Sequence, residues 1–208
     1  MLLHDYFRSS AGYRVRIALN LKRVAYARRE VMLLDNEQRS PEHLALNPQG
    51  LVPALEVDGV TLTQSFAIVD WLDSAHPEPR LIPCDPMARA HALARALLIA
   101  CDIHPLNNLR VLRHLRDTFA ADQAARDAWC RHWIVEGFAA LEAMASDGPF
   151  LGGEAPDISD VFLVPQMFNA RRLQTDLSAY PKLVAADAAA TALAPFAAAH
   201  PDRVRPTQ

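Results

Sequence analysis

Leu51-Val52-Pro53-Ala54-Leu55-Glu56-Val57-Asp58-Gly59-Val60-Thr61-Leu62-Thr63, followed at once by Gln64-Ser65-Phe66-Ala67-Ile68, decides how this chain is read. An Asp-Gly pair between two short apolar runs marks a tight β-hairpin, because its turn residues must tolerate positive φ. From Gln64 to Ala75 the residues Ala67, Ile68, Trp71 and Leu72 return to helical spacing. Towards the N-terminus, Leu2 to Tyr6 reads as a strand and Tyr26 to Leu33 as another. Between them Gly12 to Lys22 carries Val15, Ile17, Ala18, Leu19 and Leu21, the apolar set of a buried helix. A polar stretch containing Pro41 leads into the hairpin. The order strand, helix, strand, short helix or loop, two hairpin strands, helix implies a mixed sheet covered by helices.

Beyond residue 75 the composition changes. His76-Pro77-Glu78-Pro79-Arg80 and the stretch from Pro83 to Pro86 disfavour helix and suit a connection. Residues 87–118 and 123–145, rich in Ala, Leu and Arg, read as long helices. Gly148, Gly152, Gly153 and Pro156 interrupt the pattern, and Asp157-Ile158-Ser159-Asp160 starts a further helix. Asp157 can cap its free N–H groups, and Asp160 suits the positive first turn. Ala185 to Ala199 reads as one more helix, interrupted at Pro195, and His200 to Gln208 as a loose tail. The expectation is an α/β domain over residues 1–80 and an all-helical domain over 87–208.

The bulk numbers bound the function. A chain of 208 residues suffices for one large or two small cores. Half of it is hydrophobic and its charge is moderate, as in globular proteins. A net charge of −3 gives no general case for a nucleic-acid partner. No apolar run approaches the roughly eighteen residues of a membrane span, and Met1-Leu2-Leu3-His4-Asp5 lacks the basic and apolar regions of a secretory signal. Cys84, Cys101 and Cys130 are too few and scattered for a disulfide framework or a zinc site, so a reducing cytoplasm and no metal are expected. Cys101 and Cys130, on expected helices, read as buried filler.

Arg8-Ser9-Ser10 lies between the first strand and the first helix. A hydroxyl there can donate to a bound thiolate, and the helix end favours negative charge. The same serines could simply cap the helix. Pro53 would be awkward inside a central strand and, on its own, suits an ordinary edge position, since cis bonds are a small minority of X–Pro bonds. Ser65, at the start of a helix, could cap it or help to bind an anion. His104 could be a packed or surface histidine. Arg110, Arg113 and Arg116 share roughly one face of a long helix, and Arg171-Arg172 ends a later one. A solvated basic face and recognition of carboxylates both fit arginines so placed.

Several blocks in order resemble the zeta class of the glutathione transferase superfamily, which contains the maleylacetoacetate isomerases and a bacterial maleylpyruvate isomerase branch. They are Tyr6-Phe7-Arg8-Ser9-Ser10-Ala11-Gly12-Tyr13-Arg14-Val15-Arg16-Ile17-Ala18-Leu19, Asn47-Pro48-Gln49-Gly50-Leu51-Val52-Pro53-Ala54-Leu55 and Gln64-Ser65-Phe66-Ala67-Ile68. Asp102 to Arg110, Leu163-Val164-Pro165-Gln166 and Gln174 to Pro181 extend the likeness over nearly the whole chain. The resemblance implies a thioredoxin-like N-terminal domain of order βαβαββα, a helical C-terminal domain, and usually a homodimer. It implies glutathione as cofactor, held by Ser10, Gln49, Val52, Pro53, Gln64, Ser65, His104 and Asn108, with the Val52–Pro53 bond cis. A spacing of four would put His104 and Asn108 on one helix face. Ser9, Ser10 and Arg8 would be catalytic, and Arg8, Arg110 and Arg172 would bind the acid groups of a maleyl substrate. Whether that substrate is maleylpyruvate or maleylacetoacetate stays open. A general glutathione transferase acting on small electrophiles is the alternative enzyme, and a non-catalytic binding module the alternative class. Ala11 stands where the family's signature usually has cysteine, which puts any cysteine-assisted activity in doubt.

Overall fold

The computed structural model describes residues 1–206 and divides the chain into two compact units. The first unit comprises Met1–Arg80 together with the chain from Ala192 onward, and the second comprises Leu81–Thr191. The return of the last stretch to the first unit departs from the expected division at residues 80 and 87. Thr207 and Gln208 of the expected tail lie outside the described residues.

In the first unit, β1 (Leu2–Asp5), β2 (Ala27–Glu30), β3 (Ala54–Val57) and β4 (Val60–Thr63) form one sheet of order β2-β1-β3-β4. β1 and β2 are parallel, whereas β3 is antiparallel to β1 and to β4. The hairpin between β3 and β4 turns at Asp58 and Gly59, with φ of 48° and 82°, as a two-residue turn of this kind requires. Helix α1 (Ser10–Leu21) is buried along most of its length and packs on α3 (Ser65–Ala75), which buries Ile68, Val69 and Leu72. The short helix α2 (Pro41–Leu46) begins at the proline that marked the polar stretch, with Ser40 as its cap.

The second unit is helical. Helix α4 (Pro86–Leu97) passes into a π-helical segment, Leu98–Ile103, and then a 3₁₀ turn, His104–Asn107, before α5 (Leu109–Phe119). The single long helix expected over 87–118 is therefore broken. Pro105 has no N–H to donate, and Asn108 adopts extended backbone. Helix α6 (Gln123–Met144) matches its expected span, and α7 (Ile158–Arg172) is the most deeply buried helix. Asp157 caps α7 in a capping box with Asp160, as the sequence implied. Helix α8 (Pro181–Thr191) starts earlier than expected, at a proline suited to a first helical position.

The chain then rejoins the first unit as α9 (Ala194–Ala198) and α10 (Pro201–Val204). Asn20 donates to the Pro195 carbonyl at 2.9 Å, and Arg16 Nε to the Ala199 carbonyl at 3.1 Å. The described part of the expected loose tail is thus held in place. Cys130 is buried, but Cys101 is exposed on the π-helical segment, contrary to the expectation of filler.

Candidate active site

The loop after β1 is built on a buried ion pair. Asp5 closes the strand, fully buried, and pairs with Arg16, also fully buried on α1. Gly12 makes room for the carboxylate, since a Cβ there would run into Asp5 Oδ1. Asp5 also accepts from the Tyr6 amide at 2.7 Å, while Arg16 NH2 donates to the Phe7 carbonyl at 3.0 Å. Burial pushes the Asp5 carboxyl above its ordinary range, and Arg16 opposes that rise. Asp5 and Arg16 were missed in the motif. The signal for them was a charged residue inside the apolar run Val15, Ile17, Ala18, Leu19, which on a helix buried all round implies a buried partner.

This frame sets the serines. Ser9 is the N-cap of α1, its Oγ accepting from the Gly12 amide at 3.1 Å, while Ser10 is the first helical residue and is half-buried. The capping role therefore falls to Ser9. An accepting hydroxyl keeps its own proton, so Ser9 can still donate. Ser10 stands at the positive end of a twelve-residue helix. Arg8 is exposed, with NH2 donating to Tyr6 Oη at 3.2 Å and its guanidinium 5.4 Å from the Phe7 ring centre.

The second cluster of the first unit surrounds Val52. The Val52–Pro53 bond is cis, as the resemblance implied. The preceding carbonyl of Leu51 accepts from Asn47 Nδ2 at 2.8 Å and from His43 Nε2 at 2.9 Å. Asn47 Oδ1 in turn accepts from the Gln49 amide at 3.1 Å. Gln64 Nε2 donates to Gln49 Oε1 at 2.7 Å, bringing together two residues expected to bind the same ligand. Gln64 holds φ at +67°, a costly conformation for a residue with a side chain and one that concentrates at ligand sites. Ser65 begins α3, and its buried Oγ accepts from Arg14 NH1 at 3.3 Å. His43 and Arg14 were not singled out from sequence.

In the helical unit, His104 opens the 3₁₀ turn and Asn108 caps α5, with Oδ1 accepting from the Arg110 amide at 3.1 Å. They do not share one continuous helix face, because the chain changes helical type between them. Helix α6 fixes this segment twice. Trp129 Nε1 donates to the Leu106 carbonyl at 2.8 Å, and Gly137 leaves no room for a Cβ against Ile103. Arg110 and Arg172 are exposed, and Arg172 NH2 donates to Asn169 Oδ1 at 2.7 Å. Arg171 instead pairs with buried Asp187 at 2.6 Å, and Arg116 with its neighbour Asp117 at 2.6 Å. Burial raises the Cys130 thiol to about 11, which leaves it a poor nucleophile. Among the described residues no cluster of His, Cys, Asp and Glu could hold a metal ion, and no helix is long and apolar enough to cross a membrane.

Known proteins share this sequence and fold. The model of the glutathione S-transferase N-terminal domain matches residues 8–75, and that of the C-terminal domain matches residues 123–203. A maleylpyruvate isomerase from Ralstonia sp is 46% identical over 205 residues, covering 97% of both chains. The holo structure of a maleyl pyruvate isomerase, described as a bacterial glutathione S-transferase of zeta class, aligns over 100% of both chains at 44% identity with a TM-score of 0.97. A maleylacetoacetate isomerase from Anaeromyxobacter dehalogenans 2CP-1, solved with dicarboxyethyl glutathione and citrate in its active site, is 45% identical. It covers 99% of this chain and 96% of that one, with a TM-score of 0.87.

Proposed function

The chain belongs to the glutathione transferase family, within its zeta class, and from that membership we propose that it is a glutathione-dependent cis-trans isomerase of a maleyl diacid. The substrate is maleylpyruvate or maleylacetoacetate, and the reaction belongs to aromatic-compound degradation. The observation that carries this reading is Ser10 at the N-terminus of α1 with Arg8 exposed two residues before it. A hydrogen-bond donor for a thiolate and a cation for a carboxylate thus share one short loop.

The residues around Val52 fit a peptide-like anionic thiol. In this reading the Val52 backbone offers strand-like pairing, Gln49, Pro53 and Gln64 add contacts to the ligand, and Ser65 stands at a helix start suited to a carboxylate. His104 and Asn108 complete the proposed glutathione-binding set. Bound glutathione supplies the thiol whose reversible addition to the cis double bond permits rotation. Ser10 donates a hydrogen bond from its hydroxyl to the thiolate and keeps its proton, aided by the helix end, and Ser9 keeps that end capped. Arg8, Arg110 and Arg172 hold the two acid groups and face the negative charge that develops on the conjugated carbonyl. Preorganised donors of this kind are typically worth a few kcal/mol each in the transition state. No protein thiol is required, which accommodates Ala11. The dicarboxyethyl glutathione found in the Anaeromyxobacter relative is a saturated thioether of the sort that addition to a diacid yields.

The protein is further proposed to act as a cytoplasmic homodimer. Exposed Cys84 and Cys101 suit a reducing compartment, and exposed Met87 and Phe119 suit burial against a second copy. Counting free thiols during turnover of either maleyl substrate tests the reaction class. An isomerase leaves glutathione undiminished while the cis diacid disappears. Consumption of one thiol per substrate would identify a conjugating transferase instead.

A further inference from the structure

Three routes lead from the last residues of the chain to Phe7, the buried residue immediately before Arg8-Ser9-Ser10. In the first, Arg16 donates through Nε to the Ala199 carbonyl at 3.1 Å and through NH2 to the Phe7 carbonyl at 3.0 Å. In the second, Arg28 donates to the Val204 carbonyl and, at 2.6 Å, to Glu30 Oε2, while Glu30 Oε1 accepts from the Phe7 amide at 2.9 Å. In the third, the Arg205 guanidinium lies 5.3 Å from the centre of the Phe7 ring, within cation–π range. Both backbone polar groups of Phe7 and its ring are therefore tied to the segment Ala199–Arg205. Around that segment Phe196, Ala199 and Pro201 are buried, and the His200 ring stands edge-on to Tyr13 at 6.2 Å.

We propose that Ala199–Arg205 is a positioning element for the thiolate loop, holding Phe7 and through it Arg8 and Ser10. Its relevance to catalysis rests on the isomerase reading above, whereas its hold on the loop does not. The three routes from its residues run to Arg16, Arg28 and Phe7, so it acts through the loop. Its effect is geometric, since misplacing a donor by about 1 Å can cost up to 10²-fold in rate.

The test uses the full chain carrying Arg205→Ala and a chain ending at Arg203, which lacks both the Val204 carbonyl and Arg205. Arg205→Lys keeps the cation. Hydrogen exchange in residues 6–12 is read without glutathione, alongside exchange in β3 and β4. Turnover of a maleyl diacid is then measured with kcat separated from the KM for glutathione. The shortened chain should exchange about tenfold faster in residues 6–12, with β3 and β4 unchanged. Its kcat should fall about tenfold at nearly constant KM for glutathione, Arg205→Ala should lie between it and the parent, and Arg205→Lys should recover most of the loss. Unchanged exchange in residues 6–12 would overturn the proposal, and so would faster exchange with undiminished kcat. A parent protein without glutathione-dependent turnover would sink the isomerase reading instead, and the exchange result would still decide whether the segment holds the loop.

Discussion

Asp5 in the first unit and Asp160 in the second are both fully buried carboxylates, and they are answered in different ways. Asp5 meets a guanidinium, Arg16, whose other nitrogens hold the carbonyls of Phe7 and Ala199. Asp160 has its oxygens on backbone amides, those of Leu151 at 2.8 Å and Asp157 at 3.0 Å. A buried ion pair can join distant parts of the chain, because each partner has several hydrogen-bonding positions and neither tolerates isolation. A carboxylate on backbone amides reaches only nearby chain, here Asp157 at the helix start and Leu151, nine residues before Asp160. The charge pair thus organises the loop carrying Arg8, Ser9 and Ser10, while the lone carboxylate starts a helix.

Cutting each carboxylate back should break that comparison most visibly. Asp5→Ala leaves the Arg16 charge buried and uncompensated, and should cost about 3–5 kcal/mol in a denaturant titration. Next in size is a change that spares the frame. Ser10→Ala should lower kcat about 10²-fold and raise the thiol pKa of bound glutathione, with unfolding midpoints near the parent's. Normal turnover in that variant would remove Ser10 from the mechanism.

Asp160→Ala should cost less than Asp5→Ala, about 1–3 kcal/mol, because it strands amides rather than a charge. It should also alter the pH dependence. Burial pushes the Asp160 carboxyl from 3.8 to about 7, against the two amide bonds that favour its charged form. Between those values the folded chain holds a proton that the unfolded chain has released. Its contribution to stability is therefore present below pH 4 and lost as pH rises towards 7. Urea midpoints at pH 5 and pH 7 should fall in the parent and fall less in Asp160→Ala. The smallest effect is expected from Arg172→Lys, which keeps the charge but loses the planar fork. It should raise the KM for the diacid about tenfold and leave that for glutathione unchanged.

What could be read from sequence follows the same division between local and distant causes. Asp58-Gly59 announces its hairpin because a turn is a two-residue property, and the φ values of 48° and 82° agree. The cap at Asp157 was equally local. The break between Leu98 and Asn108 was half visible, since Pro105 could announce it, but the close approach of Gly137 on α6 to Ile103 is a tertiary contact that the local sequence does not show. The return of the chain beyond Ala192 was hidden as well, because its partners Arg16 and Asn20 lie more than 170 residues earlier. In the candidate site, Val52–Pro53 and Gln64-Ser65 could be singled out as blocks of sequence, whereas only the structure could assign the cap to Ser9 or reveal Asn108 as a cap.

The central claim is that this chain isomerises a maleyl diacid through glutathione. Ultraviolet absorbance of maleylpyruvate and maleylacetoacetate, followed with and without glutathione, tests it most directly. The account predicts conversion of at least one substrate to its fumaryl isomer only when glutathione is present. Equal rates without glutathione, or no conversion of either substrate with it, would contradict the account.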